Sequence, residues 1–321
     1  MSPGWVSRLR FPRVLDAISK VRRAPGRVRW ETEYAILKAS LAGRRAKHIS
    51  AMIRVKDEEE FLYPVVKSIG AHVDEIVIVD NLSSDRTPAI ITALRREYPG
   101  KVIAHEYPYR LLRRGSENRE LAGRPEARSS PHLSATYYNW CLRRCRGPFV
   151  LKWDGDMIAT DRFEKALREW CASTKLVMRF KGANVHPDRQ HLVAARSSDL
   201  EALASGMADP FLPTWIASMS HTAVEPRLFP KRFARYRMGP WTQNLKSPCL
   251  HARGGPESWH EVSEPCFLHL KFCKRAPYSD YSPDVERVVS SNVALGPALT
   301  PEWQRTLRRW GLGPRGSDPQ T

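Results

Sequence analysis

The sequence predicts an α/β fold, a mostly parallel central sheet flanked by helices and continued by a mixed second half. Three observations carry that expectation. From about residue 48, short apolar runs alternate with amphipathic segments at strand–helix–strand spacing, which right-handed crossovers fold into a parallel sheet. Two of those runs end in an aspartate, Asp80 and Asp154, and ligands of such sheets sit beyond the carboxyl ends of the strands. Over 321 residues an apolar fraction of 42% is enough for a packed interior.

The elements follow in order. "HISAMIRV" (48–55) is a β-branched run read as a strand. "EEEFLYPVVKSIGAH" places Phe61, Leu62, Val65, Val66 and Ile69 at helical spacing, with Pro64 in the first turn, where a missing N–H is tolerated. "DEIVIVD" has the continuous apolar look of a strand buried on both faces. "SSDRTPAIITALRREYPG" reads as a helix capped by Ser83 or Ser84 and stopped at Gly100, and "KVIAHEY" as a third strand. Residues 110–131 are charged with little periodicity and read as a long loop. "HLSATYYNWCLRRC" resumes a helix, "PFVLKW" is the fourth strand, and Asp161 and Glu164 open the next helix at capping-box spacing.

Past about Lys175 the alternation loosens. "KLVMRF" and "CFLHLKF" look like strands, and two-residue alternation puts Phe267, His269, Lys271 and Cys273 on one face. The chain divides into a basic extension (1–47), a first half of the main domain (48–175), a second half (176–295), and a terminal helix with a polar tail (296–321).

The net charge is +18, about half of it in the first ~50 residues. There Trp5, Leu9, Phe11, Val14, Leu15 and Ile18 interleave with Arg8, Arg10, Arg13 and Lys20. Such a segment suits an anionic membrane face, acidic carbohydrate or nucleic acid, or is a solvated arm. Pro3, Pro12 and Pro25 speak against one long helix. No run reaches the ~20 apolar residues that span a bilayer, and the start has no secretory-signal pattern. Six scattered cysteines suit reduced thiols. Together these place the protein in the cytoplasm, with a peripheral contact on the inner membrane face as a further expectation.

"FVLKWDGDMIAT" (149–160) presents a carboxylate, a glycine and a second carboxylate just where the sheet should bind its ligand. Lone D-x-D patterns are common in turns; here the motif stands in an ordered set. "VKDEEEFL", "DEIVIVDNLSSDRT" and "YYNWCLRRCRGPFVLKWDGD" precede "EPRLF" and "FLHLKF". Over residues 49–275 this series resembles the family 2 glycosyltransferases of the GT-A fold, whose second motif reads "EIVVVDNGSTDGT".

The resemblance implies a Rossmann-like GT-A sheet, a nucleotide-diphosphate sugar donor, and transfer to a glycan, glycolipid or other cell-envelope acceptor, with inversion at the sugar. It implies donor binding by Arg54, Val55, Lys56, Glu58, Asp80, Asn81 and Asp154. It also implies Mn²⁺ or Mg²⁺ held by Asp154, Asp156 and His269, with Asp156 the direct ligand. Such hard ions prefer carboxylates and neutralise a departing diphosphate. An inverting enzyme needs a carboxylate base. The stretch where relatives carry it reads "GPWTQNL" here, with Thr242 and Gln243 in place of the expected His-Glu, so Glu225 becomes the candidate, ahead of Asp209 and Asp188, with an ion pair to nearby Arg227 as the competing role for Glu225.

Two other classes compete. A D-x-D phosphatase would carry Thr or Val where Ile158 stands and a late acidic pair. A basic nucleic-acid-binding protein would account for the charge, but the chain carries no recognition motif for it, so no nucleic-acid partner is expected.

Overall fold

The structure, a computed structural model, describes residues 47–113, 116–127, 129–195, 224–231, 234–238, 243–246, 259–275 and 293–314, with single residues at 283, 286 and 290. Residues 1–46 of the basic extension, Asp209 and Thr242 lie outside them.

The first half alternates as the sequence predicts: β1 (Ile49–Val55), α1 (Leu62–Gly70), β2 (Glu75–Asp80), α2 (Thr87–Glu97) and β3 (Val102–Glu106). Then come α3 (Ser116–Ala122), α4 (Ser134–Arg144), β4 (Phe149–Asp154), β5 (Met157–Ala159) and α5 (Asp161–Ala172). The second half contributes β6 (Val177–Asn184), β7 (His191–Ala195), β8 (Glu225–Pro230), β9 (Arg235–Met238), β10 (Gln243–Lys246) and β11 (Trp259–His269). β12 (Val293–Ala298) and α6 (Pro301–Arg309) follow.

One eight-stranded sheet runs β3-β2-β1-β4-β8-β6-β11-β5. β3, β2, β1 and β4 pair in parallel, as do β6 and β11, while β8 and β5 run against their neighbours. The second half therefore continues the first half's sheet through the β4–β8 pairing. Every residue of β2 is buried, which explains its unbroken apolar run. α4 packs on β1 and β2, α1 on α2 and β5, and α5 on β5 and β11. Beneath the second half, Trp153, Phe163, Phe180 and Phe267 form a closed aromatic cluster with ring centroids 4.9 to 6.2 Å apart. Gly182 makes room for it, since a Cβ there would lie 2.2 Å from the Phe267 ring.

At the amino edge of the sheet, the buried Glu75 carboxylate accepts from the Ser50 hydroxyl, from the Arg146 side chain, and from the Arg146 N–H at 2.8 Å. No helix among the described residues is long and apolar enough to cross a membrane.

Four local expectations give way to tertiary contacts. α2 begins at Thr87, because Ser83 and Ser84 bond to Asp80 and Asp57 rather than to the helix. Thr160, not Asp161, caps α5, and its hydroxyl donates to the Pro265 carbonyl at 3.0 Å instead of closing a capping box. The stretch read as a loop over 110–131 contains α3 and a 3₁₀ turn at Pro125–Ala127. β11 ends at His269, and Lys271–Cys273 is a 3₁₀ turn, so the four-residue face projected for that strand stops at His269.

Candidate active site

The carboxyl ends of β1 and β2 are joined through their loops. The Asp57 N–H donates to Ser83 Oγ at 2.8 Å, and Ser84 N–H returns to Asp57 Oδ1 at 2.7 Å. Glu58 N–H donates to the buried Thr87 hydroxyl at 2.7 Å, and Glu59 N–H to Asp85 Oδ2 at 2.9 Å. The run "SSDRT" thus acts as a staple, its short hydroxyl and carboxylate side chains closing backbone donors that a loop would leave open. Leu82, where the family motif quoted above has glycine, sits at φ 57° and is 40% exposed. A left-handed backbone costs a leucine about 1–2 kcal/mol, and the Lys56 ammonium, 3.1 Å from the Leu82 carbonyl, helps hold it there.

Asp80 is buried at the tip of β2, its Oδ1 accepting from the Ser83 hydroxyl at 2.5 Å. Asn81 donates through its amide nitrogen to the carbonyls of Tyr107 at 3.2 Å and Tyr109 at 2.8 Å. Both of its amide hydrogens therefore tie down the chain after β3, leaving the side-chain oxygen for any ligand. Asn139, on α4, does similar work. It donates to the Tyr236 carbonyl and accepts from the Tyr236 N–H, both at 2.8 Å, joining α4 to β9.

The Asp154–Gly155–Asp156 turn lies at the end of β4, beside β1, where Arg54 and Asp154 are direct register partners. Trp153 closes it by donating its indole N–H to the Met157 carbonyl at 2.8 Å. Gly155 is required by close approach: a Cβ there would fall 2.9 Å from both Glu58 Cγ and Val55 Cγ1. That assigns Val55 and Glu58 to the wall of the turn.

Among the described residues, four carboxylates and four cations meet around this turn. Asp154 contacts Arg54 and lies 3.9 Å from Arg227 Nη1. Arg54 also lies flat on Tyr138, 3.6 Å from the ring centroid. Glu225 Oε2 is 3.3 Å from Lys152 Nζ and 3.4 Å from Arg227 Nη2. Lys274 Nζ stands 2.8 Å from Asp156 Oδ2 and 2.5 Å from Glu58 Oε1. His269 Nε2 is 3.2 Å from the other oxygen of Asp156, while its Nδ1 meets Asn184 Oδ1 at 3.0 Å. The sequence-predicted Asp154, Asp156, Glu58, Arg54, Glu225 and His269 are all brought together here. Arg227 joins them as the partner of Glu225 that the sequence offers, while Lys152 and Lys274 belong with them and were missed.

Charge balance follows from this crowding. Burial raises the Asp156 carboxyl, but Lys274 and His269 overcome it and hold the group well below the usual carboxylate range. Burial pushes the His269 imidazole down despite Asp156, and pushes Lys152 down to about 8 despite Glu225. Burial lifts Asp154 to about 7 against the pull of Arg227, and the Arg54 guanidinium in contact with it pulls the same way as Arg227.

Asp188, named as a reserve base, is instead a turn residue between β6 and β7. It accepts from Gln190 N–H at 2.8 Å and contacts His191 Nδ1 at 2.7 Å. A carboxylate so bonded makes a poor proton acceptor.

A divalent ion does not fit the cluster as built. Each Asp156 oxygen faces a nitrogen of the chain, Asp154 faces two guanidinium groups, and no group of three metal-ligating side chains occurs among the described residues. The Mn²⁺ or Mg²⁺ expected at Asp154, Asp156 and His269 would have to displace internal cations.

Residues 50–113, which span β1 to β3 and the stapled loops, match the family described as glycosyl transferase family 2. The resemblance carried by the motifs holds over that stretch. No curated protein matches the sequence. Among solved structures, a mycobacterial protein is 18% identical with TM-score 0.36, covering 73% of this chain and 69% of its own. *S. aureus* TarS 1-349 is 12% identical with TM-score 0.37, over 76% of this chain and 64% of that one. Glucosyl-3-phosphoglycerate synthase from *Mycobacterium tuberculosis*, solved with Mn²⁺, UDP and glucosyl-3-phosphoglycerate, is 15% identical with TM-score 0.38, over 98% and 88%.

Proposed function

We propose that this chain, with its glycosyl transferase family 2 segment at residues 50–113, takes a sugar from a nucleotide-diphosphate sugar and passes it to a hydroxyl of a glycan or lipid-linked acceptor. The observation that carries the reading is the Asp154–Gly155–Asp156 turn, set at the carboxyl end of β4 beside β1 of the matched segment and ringed by Arg54, Lys152, Arg227 and Lys274. A diphosphate leaves with negative charge, and cations already fixed around it act without reorganising during the reaction. The nucleoside end lies toward Asp80 and Asn81, with Lys56 at the mouth of the same edge, 3.3 Å from the Asn81 carbonyl.

In the proposed inverting displacement an acceptor hydroxyl attacks the anomeric carbon from the face opposite the diphosphate. The new C–O bond forms as the bond to the phosphate oxygen breaks, that oxygen keeps the electron pair, and Glu225 takes the hydroxyl proton. Glu225 suits an acceptor's approach because its side chain is 43% exposed, far more open than Asp156 at 6%. The forming C–O bond makes the attacking hydroxyl more acidic, so its proton passes to Glu225 as that bond develops. No step passes through a metal ion. A cytoplasmic setting and peripheral docking by residues 1–47 on an anionic membrane belong to the same proposal and are checked by vesicle pelleting of the full and truncated chains.

Melting the full chain against UDP-, GDP- and dTDP-sugars, followed by product analysis, tests the function, since a ligand of the folded state raises the melting point. One donor class should stabilise the chain, and Glu225→Gln should keep that shift while losing turnover. Absence of a shift with every donor, together with absence of sugar release, would reject it.

A further inference from the structure

We propose that Lys274 is a resident counter-cation, an ammonium group that performs at Asp156 and Glu58 the charge neutralisation a divalent ion would otherwise supply. The inference rests on the transferase reading only for its consequence in turnover; the metal-binding consequence stands by itself.

The seat is built rather than incidental. Asp156 and Glu58 are each 5% exposed, and Lys274 bridges them at 2.8 and 2.5 Å. Glu58 is placed from its backbone by Thr87 and from its side chain by the glycine it rests on. Lys274 is placed from the other direction. β11 ends at His269, the Leu270 N–H donates to the Asp156 carbonyl at 2.8 Å, and the 3₁₀ turn closes with Cys273 N–H on the Leu270 carbonyl at 2.9 Å. That turn reverses the chain so that the next residue reaches back over the D-G-D turn. Lys274 thus sits where the two carboxylates would share an ion, and a second cation at the same oxygens would meet it as a like charge.

The surroundings agree. Among the described residues, Asp154, Asp156, Glu58 and Glu225 each face at least one of Arg54, Arg227, Lys152 and Lys274. A donor diphosphate adds negative charge, and Lys274, whose side chain is 20% exposed, offers it a fixed positive charge beside Asp156. In the transfer itself Lys274 makes and breaks no covalent bond. It faces the phosphate oxygen that receives the electron pair.

The test begins without substrate. The full chain is stripped with EDTA and titrated with Mn²⁺ by electron paramagnetic resonance, beside Lys274→Met and Lys274→Arg. Wild type and Lys274→Arg should leave the ion free. Lys274→Met should bind it at least about tenfold more tightly, because a like charge has left the two carboxylates. Stoichiometric Mn²⁺ binding by wild type, abolished in Asp156→Ala, would overturn the proposal, and this arm stands even where Lys274→Met fails to fold. The second arm uses whichever nucleotide sugar stabilises the chain. Wild-type turnover in EDTA should stay within about twofold of that in Mn²⁺, while Lys274→Met should lose at least about tenfold in EDTA and recover part of it with Mn²⁺. Wild-type turnover that vanishes in EDTA and returns with Mn²⁺ would also overturn it. Failure of every nucleotide sugar to bind or react rejects the transferase reading, while the Mn²⁺ titration still decides on Lys274.

Discussion

At the tips of β1 and β2 the side chains of Asp57, Ser83, Asp85 and Thr87 accept from backbone N–H groups of the facing loop. At the tips of β4, β8 and β11, by contrast, charge is set against charge: Asp154 on Arg54, Glu225 on Lys152 and Arg227, Asp156 on Lys274. The two regions meet at Glu58, whose N–H is held by Thr87 and whose carboxylate is held by Lys274. The difference lies in what happens when one partner is removed. A lost hydrogen bond leaves one amide unsatisfied at about 1–3 kcal/mol. A lost member of a buried ion pair strands a charge at about 3–5 kcal/mol. The first region is a rigid frame, and the second is the electrostatic instrument mounted on it.

The largest effect is therefore expected at Asp156. Asp156→Ala removes one of the two carboxylates under Lys274 and the partner of His269. Chemical denaturation should show a loss of about 3–5 kcal/mol, and turnover should fall by about 10²–10³-fold. A variant as stable as wild type would mean that the cluster is solvated and the contrast with the β1–β2 loops is false. Gly155→Ala ranks second. Its Cβ would meet Glu58 and Val55 at 2.9 Å, and overpacking of this kind costs about 1–3 kcal/mol. Because Glu58 is the group that must give way, turnover should drop about tenfold even where the melt recovers. Thr87→Val comes third, inside the frame. It removes the acceptor of the Glu58 N–H, at about 1–2 kcal/mol, with donor affinity changed less than stability.

The frame was the legible part. β1, β2 and their helices announce themselves through apolar runs and local spacing, and the βαβ rhythm fixes a parallel sheet. The D-G-D turn was legible for the same reason, since it ends a strand. The instrument was harder to read because its cations come from distant places. Arg227 was legible as a neighbour of Glu225 in "EPRLF" but not as a neighbour of Asp154, and Lys152 alternates within β4 as any strand lysine does. Lys274 follows a 3₁₀ turn that breaks the two-residue rhythm of β11. Strand alternation, extended past His269, pointed to Lys271 and Cys273 and passed over the residue that reaches Asp156. The one signal available was composition: two carboxylates one residue apart at a buried strand end require compensation, and a divalent ion is only one source of it. At Leu82 the reading failed in the other direction. A leucine where the family motif has glycine gives no sign in a periodicity plot, yet it occupies a left-handed backbone.

The smallest expected effect tests the contrast at the turn between β6 and β7. Asp188, in the turn between β6 and β7, combines both styles, with backbone donors from Gln190 and His191 and contacts to the His186 and His191 rings. Burial opposes ionisation, yet those donors hold its carboxyl down to about 2. A folded value below the unfolded one, about 3.9, means that the stabilisation is complete above pH ~4 and is lost as pH falls toward 2. A side chain 28% exposed to solvent keeps the contribution near about 1–2 kcal/mol. Denaturation of wild type and Asp188→Asn across that range should show a gap that is constant at pH 5 to 6 and closes on acidification, with turnover at neutral pH unchanged. A gap independent of pH would mean that the turn is held by its backbone bonds alone. It would then behave like the backbone bonds that join the β1 and β2 loops.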